Sequence, residues 1–538
     1  MHLNKNAGLY FALFLSFLIF FAGFILHDYP LADVASRYAP MAESFAEGNW
    51  KFAFHPRIQM LQPVCSGIIC FLTGFDGFMS GKIASALWHF GSAVLLWMML
   101  RDIYRKSNFI ALAGTVFYLW YPYAFHIGIS GLRDSAKIAV LILIAWGLAK
   151  VIRNTRASGG YFMLGTGCAL AMLIRCDTIM TGLACLFTGM VIECRERKFP
   201  LYSLPSAALT AVFMSAGSAV NRYISGGAMP DYRFIKFFDD LTGQMPEFTD
   251  FLLILGAILL LMLLTSRIAA VCVDFLGLPF VVELLILSTV IISLHSASTA
   301  TPQQVEHFFS ELSKGFYHFA GLFILLTVLI RWQQNKLKAE EVMLILVVLI
   351  NALLNILPMQ IFHKVLYIPS RYLYTALPLL SGFFIIGIQM AYSLLHKYLP
   401  DKWCRLILYS CCFAIAGGCL FHDFQMIYRD YKRPSVRRDS AMQLTEMIRS
   451  DYDGPAQSDV KIKINVYKSN KRPRVFIREL SRITVTAYLA GGSLADWYRD
   501  ADYVVSCDGP GKSPVKLKFI GKTNVPGQPE FSLWRVVK

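Results

Sequence analysis

Apolar runs of about 17 to 25 residues, each long enough to cross a ~30 Å hydrocarbon layer as helix, recur thirteen times before residue 421 and then stop. Inside a bilayer every backbone polar group must be satisfied within the segment itself, so such runs fold as helices. They fall at approximately 8–26, 82–100, 108–127, 135–152, 161–177, 178–193, 202–221, 250–266, 275–295, 316–331, 341–359, 372–393 and 404–421. The composition agrees: 16% of residues are charged and 56% hydrophobic, against roughly 25% charged in soluble proteins. The expected fold is an all-α polytopic membrane domain of about 13 transmembrane helices, residues 1–423, followed by a small exported α/β domain, residues 424–538.

The first run, GLYFALFLSFLIFFAGFIL, has one lysine before it and no small-residue cleavage pattern after it, which predicts a retained span rather than a removed leader. Of the 12 cysteines, all but Cys507 lie in or beside hydrophobic runs, Cys411 and Cys412 side by side in one of them. They read as small apolar fillers rather than disulfide partners or metal ligands.

Short loops rich in lysine and arginine stay in the cytoplasm. RDIYRK (101–106), Lys150 with Arg153 and Arg156, RERK (195–198), Arg267, RWQQNKLK (331–338) and HKYLPDKW (396–403) all fall on one side of the predicted bundle. The first loop (27–80), the Tyr121–Asp134 loop, residues 222–249, 296–315, 358–371 and everything after about 422 fall on the other. The N-terminus is therefore expected in the cytoplasm and the C-terminal domain outside it. That domain contains the short β-patterned runs KIKINVY, RITVTAYL and DYVVSC. From residue 429 it carries 21 Lys and Arg against 12 Asp and Glu, a net of 21 − 12 = +9, suited to anionic lipid headgroups or to a solvated surface.

No GxxxxGK[ST], GxGxxG or HExxH occurs. The overall charge of +16 is spread over loops and the C-terminal domain, so nucleic acid is not an expected partner. Chemistry has to come from the loops. In LADVASRYAPMAESFAEGNW (31–50), Val34, Tyr38, Met41 and Phe45 follow helical spacing, Pro40 kinks the helix and Gly48-Asn49 stops it. Asp33, at the start, is either an N-cap stabilising the helix by about 1 kcal/mol or a reacting carboxylate.

An acid just after the first span, then Arg-Tyr, an Ala- and Glu-containing helix and Gly-x-Trp, resembles the first exported loop of the GT-C class of glycosyltransferases. Within that class it looks like the lipid A aminoarabinose transferases and the protein O-mannosyltransferases. FHPRIQMLQP (54–63) resembles the His-Pro-rich loop of that class, and ISGLRDSAKIAV (129–140) its second exported loop. AMLIRCDTIM (171–180) is similar to its small-apolar run ending in a cation, and SRYLYTALPLL (370–380) to the start of a late span. There are two departures. Val34 follows Asp33 where the class commonly has an Asp-Glu pair, and Asp33 stands one residue farther from Tyr38 than the pattern, with its distance to Trp50 unchanged. The second implies a one-residue shift within the helix and keeps Asp28 as a rival.

The resemblance implies transfer of a sugar from a polyprenyl-phosphate donor to a lipid, glycan or protein acceptor, with Asp33 as general base and inversion at the anomeric carbon. A phosphodiester leaves as a weak base and needs no general acid, so the tasks left are deprotonating the acceptor and stabilising charge on the departing phosphate. Arg371 is the leading phosphate ligand, with His363 and Lys364 as helpers, through the donor fork that suits arginine to oxyanions. Arg57, His55, Arg133 and Tyr38 are further substrate-binding candidates, and Asp134 is the second catalytic candidate, on the acceptor side. No metal-ligand spacing is present, although Asp33, Asp134 and His55 leave a divalent cation open. Arg175 and Asp177 read as a local ion pair or a lipid-phosphate contact. The first loop, residues 302–315 and the exported domain are expected to wall a cavity that lipid enters from the side. Two other readings stay open: a polysaccharide ligase or polymerase, and a transporter using Asp274 and Glu283. The absence of an N-x-[ST] sequon and the family type point to a bacterial inner membrane.

Overall fold

The computed structural model describes residues 7–27, 30–31, 33–54, 59–105, 107–197, 199–220, 248–277, 282–288, 291, 302–303, 305–306, 310, 319–363, 374–451, 461–465, 493–494, 502–507, 516–525 and 530–537. Six helices among these are long and apolar enough to cross a membrane: Gly8–Leu26, Gly77–Ile103, Asp134–Arg153, Asp177–Glu196, Leu252–Phe275 and Leu377–Leu395. The chain is an integral membrane protein, and its surface says why. On α1 (Ala7–Leu26) Phe11, Phe14, Phe21 and Ile25 lie exposed at helical spacing, while Phe20 is buried and Ser16 turns inward to accept a 2.5 Å bond from Trp120 Nε1. A face this apolar matches lipid, not water.

The run 341–359 lies within one helix, Ala339–His363, while others of the expected spans take other forms. The run 108–127 is two helices, α6 (Asn108–Leu119) and α7 (Pro122–Ile129), because Pro122 has no N–H with which to continue the first. The runs 161–177 and 202–221 become α9 (Ser158–Ala171) and α11 (Ser203–Ala219), of 14 and 17 residues. The last run lies inside a single helix, Asp401–Asp451, which continues past residue 424. Its end packs Leu444 and Ile448 against Tyr503, Val505, Phe531 and Leu533 of a small sheet. That sheet is mixed, with strand order β2-β1-β3-β5-β4: β1 (Lys461–Asn465) runs parallel to β2 (Ser493–Leu494) and β3 (Tyr503–Cys507), and β5 (Phe531–Val536) antiparallel to β3 and β4 (Leu517–Lys522).

The centre of the bundle is α8 (Asp134–Arg153), buried nearly all round against α5 (Gly77–Ile103), α9, α10 (Cys176–Glu196) and the Ala339–His363 helix. Small residues permit the close approach. A Cβ on Gly147 would lie 2.6 Å from the Leu164 nitrogen of α9, and one on Gly165 would lie 2.8 Å from Ser206 of α11. Ion pairs concentrate at the two ends of α8, about 30 Å apart at 1.5 Å per residue. At one end Arg153 bonds Asp102 and Glu340, both at 2.8 Å. The other end carries the candidate site.

Candidate functional site

Three connecting segments meet at the Asp134 end of α8. The first is the loop after α1. Residues Val34–Tyr38 form one π-helical turn, closed by the Ala39 N–H reaching back five residues to the Val34 carbonyl. α2 (Ala39–Ala46) follows, with Pro40 in its first turn. A π turn takes up one extra residue in a helix, which is the physical form of the one-residue departure between Asp33 and Tyr38. At 3.6 residues per turn, residues five apart would point about 140° from each other; the wider turn brings them toward one face. Asp33 has helical φ and ψ of −64° and −34° and makes no side-chain cap bond, so the N-cap geometry is not formed. The loop is fastened at its far side, where Glu43 Oε1 accepts from the Gly77 N–H at 2.7 Å. Gly77 is required there, since a Cβ would lie 2.1 Å from the Ala39 carbonyl oxygen.

The second segment joins α7 to α8. Gly131 takes φ +77°, a conformation that favours glycine, and reverses the chain after α7. The Ser85 hydroxyl then holds the Leu132 carbonyl at 2.9 Å, setting the direction in which Arg133 and Asp134 open α8. The third segment is the turn from α9 into α10. Its Leu173 carbonyl accepts the Leu61 N–H at 2.9 Å, tying it to α4 (Leu61–Thr73). Arg175 follows in extended conformation, so its side chain reaches across rather than along α10.

Ion pairs hold the second and third together, and Arg133 over the Tyr38 ring meets the first. Arg175 Nη1 bonds Asp134 Oδ1 at 2.9 Å and its Nε bonds Asp177 Oδ1 at 2.8 Å, while Asp177 Oδ2 takes Lys137 Nζ at 2.5 Å. All four side chains are buried. They form an alternating row, Asp134, Arg175, Asp177, Lys137, whose formal charges cancel. Arg133 stands beside the row and outside it. Its Nη1 donates to Gln59 Oε1 at 3.0 Å and to the Ile174 carbonyl at 3.1 Å, and its guanidinium lies 5.7 Å from the Tyr38 ring. Among the described residues it has no ion pair, and Nε, although buried, has no hydrogen-bond partner. The Nε–Nη2 edge is the fork with which arginine holds an oxyanion. Tyr38 lies within electrostatic reach of Arg133, Asp134, Arg175 and Asp33. Burial pushes its hydroxyl above the usual tyrosine range, Arg133 and Arg175 pull the other way, and Asp134 and Asp33 add to the rise.

Of the residues expected from the sequence, Asp33, Tyr38, Arg133 and Asp134 come together here. Asp28, His55, Arg57, Lys364 and Arg371, and the side chain of His363, lie outside the described residues, as does most of 302–315. The Arg175–Asp177 pair is present and also reaches Asp134 and Lys137. Sequence reasoning passed over Gln59 and Lys137; the available signal for Lys137 was a lysine three residues after Asp134, one turn deeper in an apolar span. Asp274 pairs with Arg195 at 2.6 Å beside the opposite, Arg153-bearing half of the molecule's ion pairs, and half of its side chain is exposed. The Glu283 side chain is exposed. Among the described residues no cluster of three His, Cys, Asp or Glu is placed to hold a metal ion.

The fold is shared with solved membrane enzymes. The apo form of the oligosaccharyltransferase from Archaeoglobus fulgidus matches over 91% of this chain and 69% of its own, at 10% identity and a TM-score of 0.50. The same enzyme tethered to an acceptor peptide matches over 94% and 69%, again at 10% identity and a TM-score of 0.50. ArnT from Cupriavidus metallidurans bound to undecaprenyl phosphate matches over 99% and 98% at 11% identity, with a TM-score of 0.40. No curated protein matches. The chain has the fold of these membrane enzymes. More particularly, residues 63–218, from α4 to the end of α11 and including the second and third segments of the site, match the family described as dolichyl-phosphate-mannose-protein mannosyltransferase.

Proposed function

We propose that this enzyme moves a sugar from a polyprenyl-phosphate carrier to an acceptor at the exported face of a bacterial inner membrane, with its N-terminus cytoplasmic. Asp33 deprotonates the attacking group, Asp134 orients the acceptor, and Arg133, with Arg371, Lys364, Arg57 and His55 as the further candidates from the sequence, receives the phosphate. The anomeric carbon is attacked opposite the leaving oxygen, so configuration inverts.

The observation that carries this reading is the Arg133 fork: a guanidinium anchored through Nη1, backed by the Tyr38 ring, with no ion pair among the described residues. A charge-neutral row behind it leaves that cation for an incoming anion. The matched family carries a dolichyl-phosphate sugar in its description, in keeping with a lipid-linked donor. A lipid-phosphate sugar needs no nucleotide site, in keeping with the motifs the sequence lacks. A polysaccharide ligase or polymerase would use the same donor chemistry and differs in taking a whole glycan as cargo.

The test is transfer of label from a radiolabelled polyprenyl-phosphate sugar by purified protein in nanodiscs, with lipid, glycan and peptide acceptors. Wild type is run beside Asp33→Asn, Asp28→Asn and Arg133→Gln. Loss in Asp33→Asn with Asp28→Asn active supports the assignment; normal transfer by Asp33→Asn ends it.

A further inference from the structure

We infer that Lys137 is a positioning residue whose charge keeps Arg133 available to a phosphate, acting through the buried row of ion pairs without touching substrate. This rests on the reading of Arg133 as a phosphate ligand. The argument is one of charge and reach. Lys137 lies one turn inside α8 from Asp134, is fully buried, and bonds Asp177 at 2.5 Å. A lysine in an apolar span needs a reason, because ionisable groups there are costly unless paired.

Its partner Asp177 is also held by Arg175, and Arg175 in turn holds Asp134. Counting formal charges along the row, Asp134 (−1), Arg175 (+1), Asp177 (−1) and Lys137 (+1) sum to zero. Arg133 is next to Asp134 in the chain and its guanidinium reaches the Ile174 carbonyl, one residue before Arg175. Were the row one cation short, Arg133, whose charge already acts on Asp177, would be drawn to neutralise it. With Lys137 present the row has no such need, and among the described residues Arg133 keeps no ion pair and Nε no hydrogen-bond partner. The lysine thus sets the net charge of the confluence at +1, Arg133 included, before Asp33 is counted.

This predicts effects of opposite sign from neighbouring substitutions, which loss of packing would not give. Lys137→Met leaves the row at −1 and should weaken binding of a short-chain polyprenyl monophosphate by about tenfold, the size expected of one unit charge at this range. Asp177→Asn leaves the row at +1, so binding holds or tightens. The double variant Lys137→Met with Asp177→Asn restores neutrality and should return the affinity to within about twofold of wild type.

The experiment is calorimetric titration of full-length protein in nanodiscs with farnesyl phosphate, with farnesol and inorganic phosphate as separate arms, and thermal unfolding recorded for each variant. Phosphate-dependent weakening in Lys137→Met, absent with farnesol and reversed in the double variant, supports the inference. Equal weakening by both single variants, or a double variant no better than Lys137→Met, overturns it. Arg133→Gln separates the two layers: an unchanged affinity there removes the phosphate assignment itself, whereas a loss there with Lys137→Met unchanged removes only the role of Lys137.

Discussion

Arg175 Nη1 lies 2.9 Å from Asp134 Oδ1 across 41 residues of sequence, and the same guanidinium bonds Asp177 through Nε at 2.8 Å. One side chain therefore joins the starts of α8 and α10. Removing it would leave two buried carboxylates with Lys137 as the remaining cation of the row, and breaking a buried pair from one side costs about 3–5 kcal/mol. Arg175→Met is expected to lose most of its folded yield and to melt many degrees lower in detergent. Arg175→Lys should recover only part of this, because an ammonium lacks the fork that reaches both carboxylates. A melting temperature for Arg175→Met within about 2 °C of wild type would show that the row is not structural.

Asp33 makes no cap bond, so its replacement by asparagine should shift unfolding by less than about 1 kcal/mol. Its effect belongs in turnover. Loss of a general base typically costs about 10²–10⁴-fold. Single-turnover rates and melting curves of Asp33→Asn, measured on one preparation, test both halves; a rate loss that tracks a stability loss would return Asp33 to a structural role.

The π turn makes a third outcome accessible. Since Val34–Tyr38 accommodates one extra residue, deleting Ala35 should let the turn relax to an α turn, with folding retained and transfer within about tenfold of wild type. Deleting Ala42 from α2, where no surplus exists, shifts every later residue by about 100° and should abolish transfer. Equal damage from both deletions would mean that the π turn is not a tolerated insertion.

A fourth concerns acid. Burial first, then the charges of His126 and Lys82, lowers the His27 imidazole from 6.5 to about 3. The unfolded chain binds this proton below pH 6.5 and the folded chain does not. Stability from His27 is therefore complete above about pH 6.5 and is lost as pH falls toward 3, by about 2 kcal/mol at pH 5. His27→Asn should flatten the melting temperature between pH 7 and pH 5 relative to wild type; parallel curves for the two would refute the assignment.

Apolar run length, basic loops and the order of the loop motifs were legible in the sequence because each is local, being set by bilayer thickness and by which residues a bilayer tolerates. The same runs did not dictate helix length. Pro122 divides the third run into two helices.

The site divides in the same way. The sequence by itself put Asp33, Tyr38, Arg133 and Asp134 beside the ends of predicted spans, and the family resemblance marked one residue too many between Asp33 and Tyr38. Only the tertiary structure decided that the surplus is taken up as a π turn, that Arg175 spends its two edges on Asp134 and Asp177, and that Lys137 completes the row while Arg133 stays outside it. The reason is physical: pairing among buried charges depends on which helix ends are brought within about 3 Å of each other, and that is settled by packing over the whole bundle, through contacts such as Gly77 on Ala39 and Gly147 on Leu164, rather than by spacing along the chain.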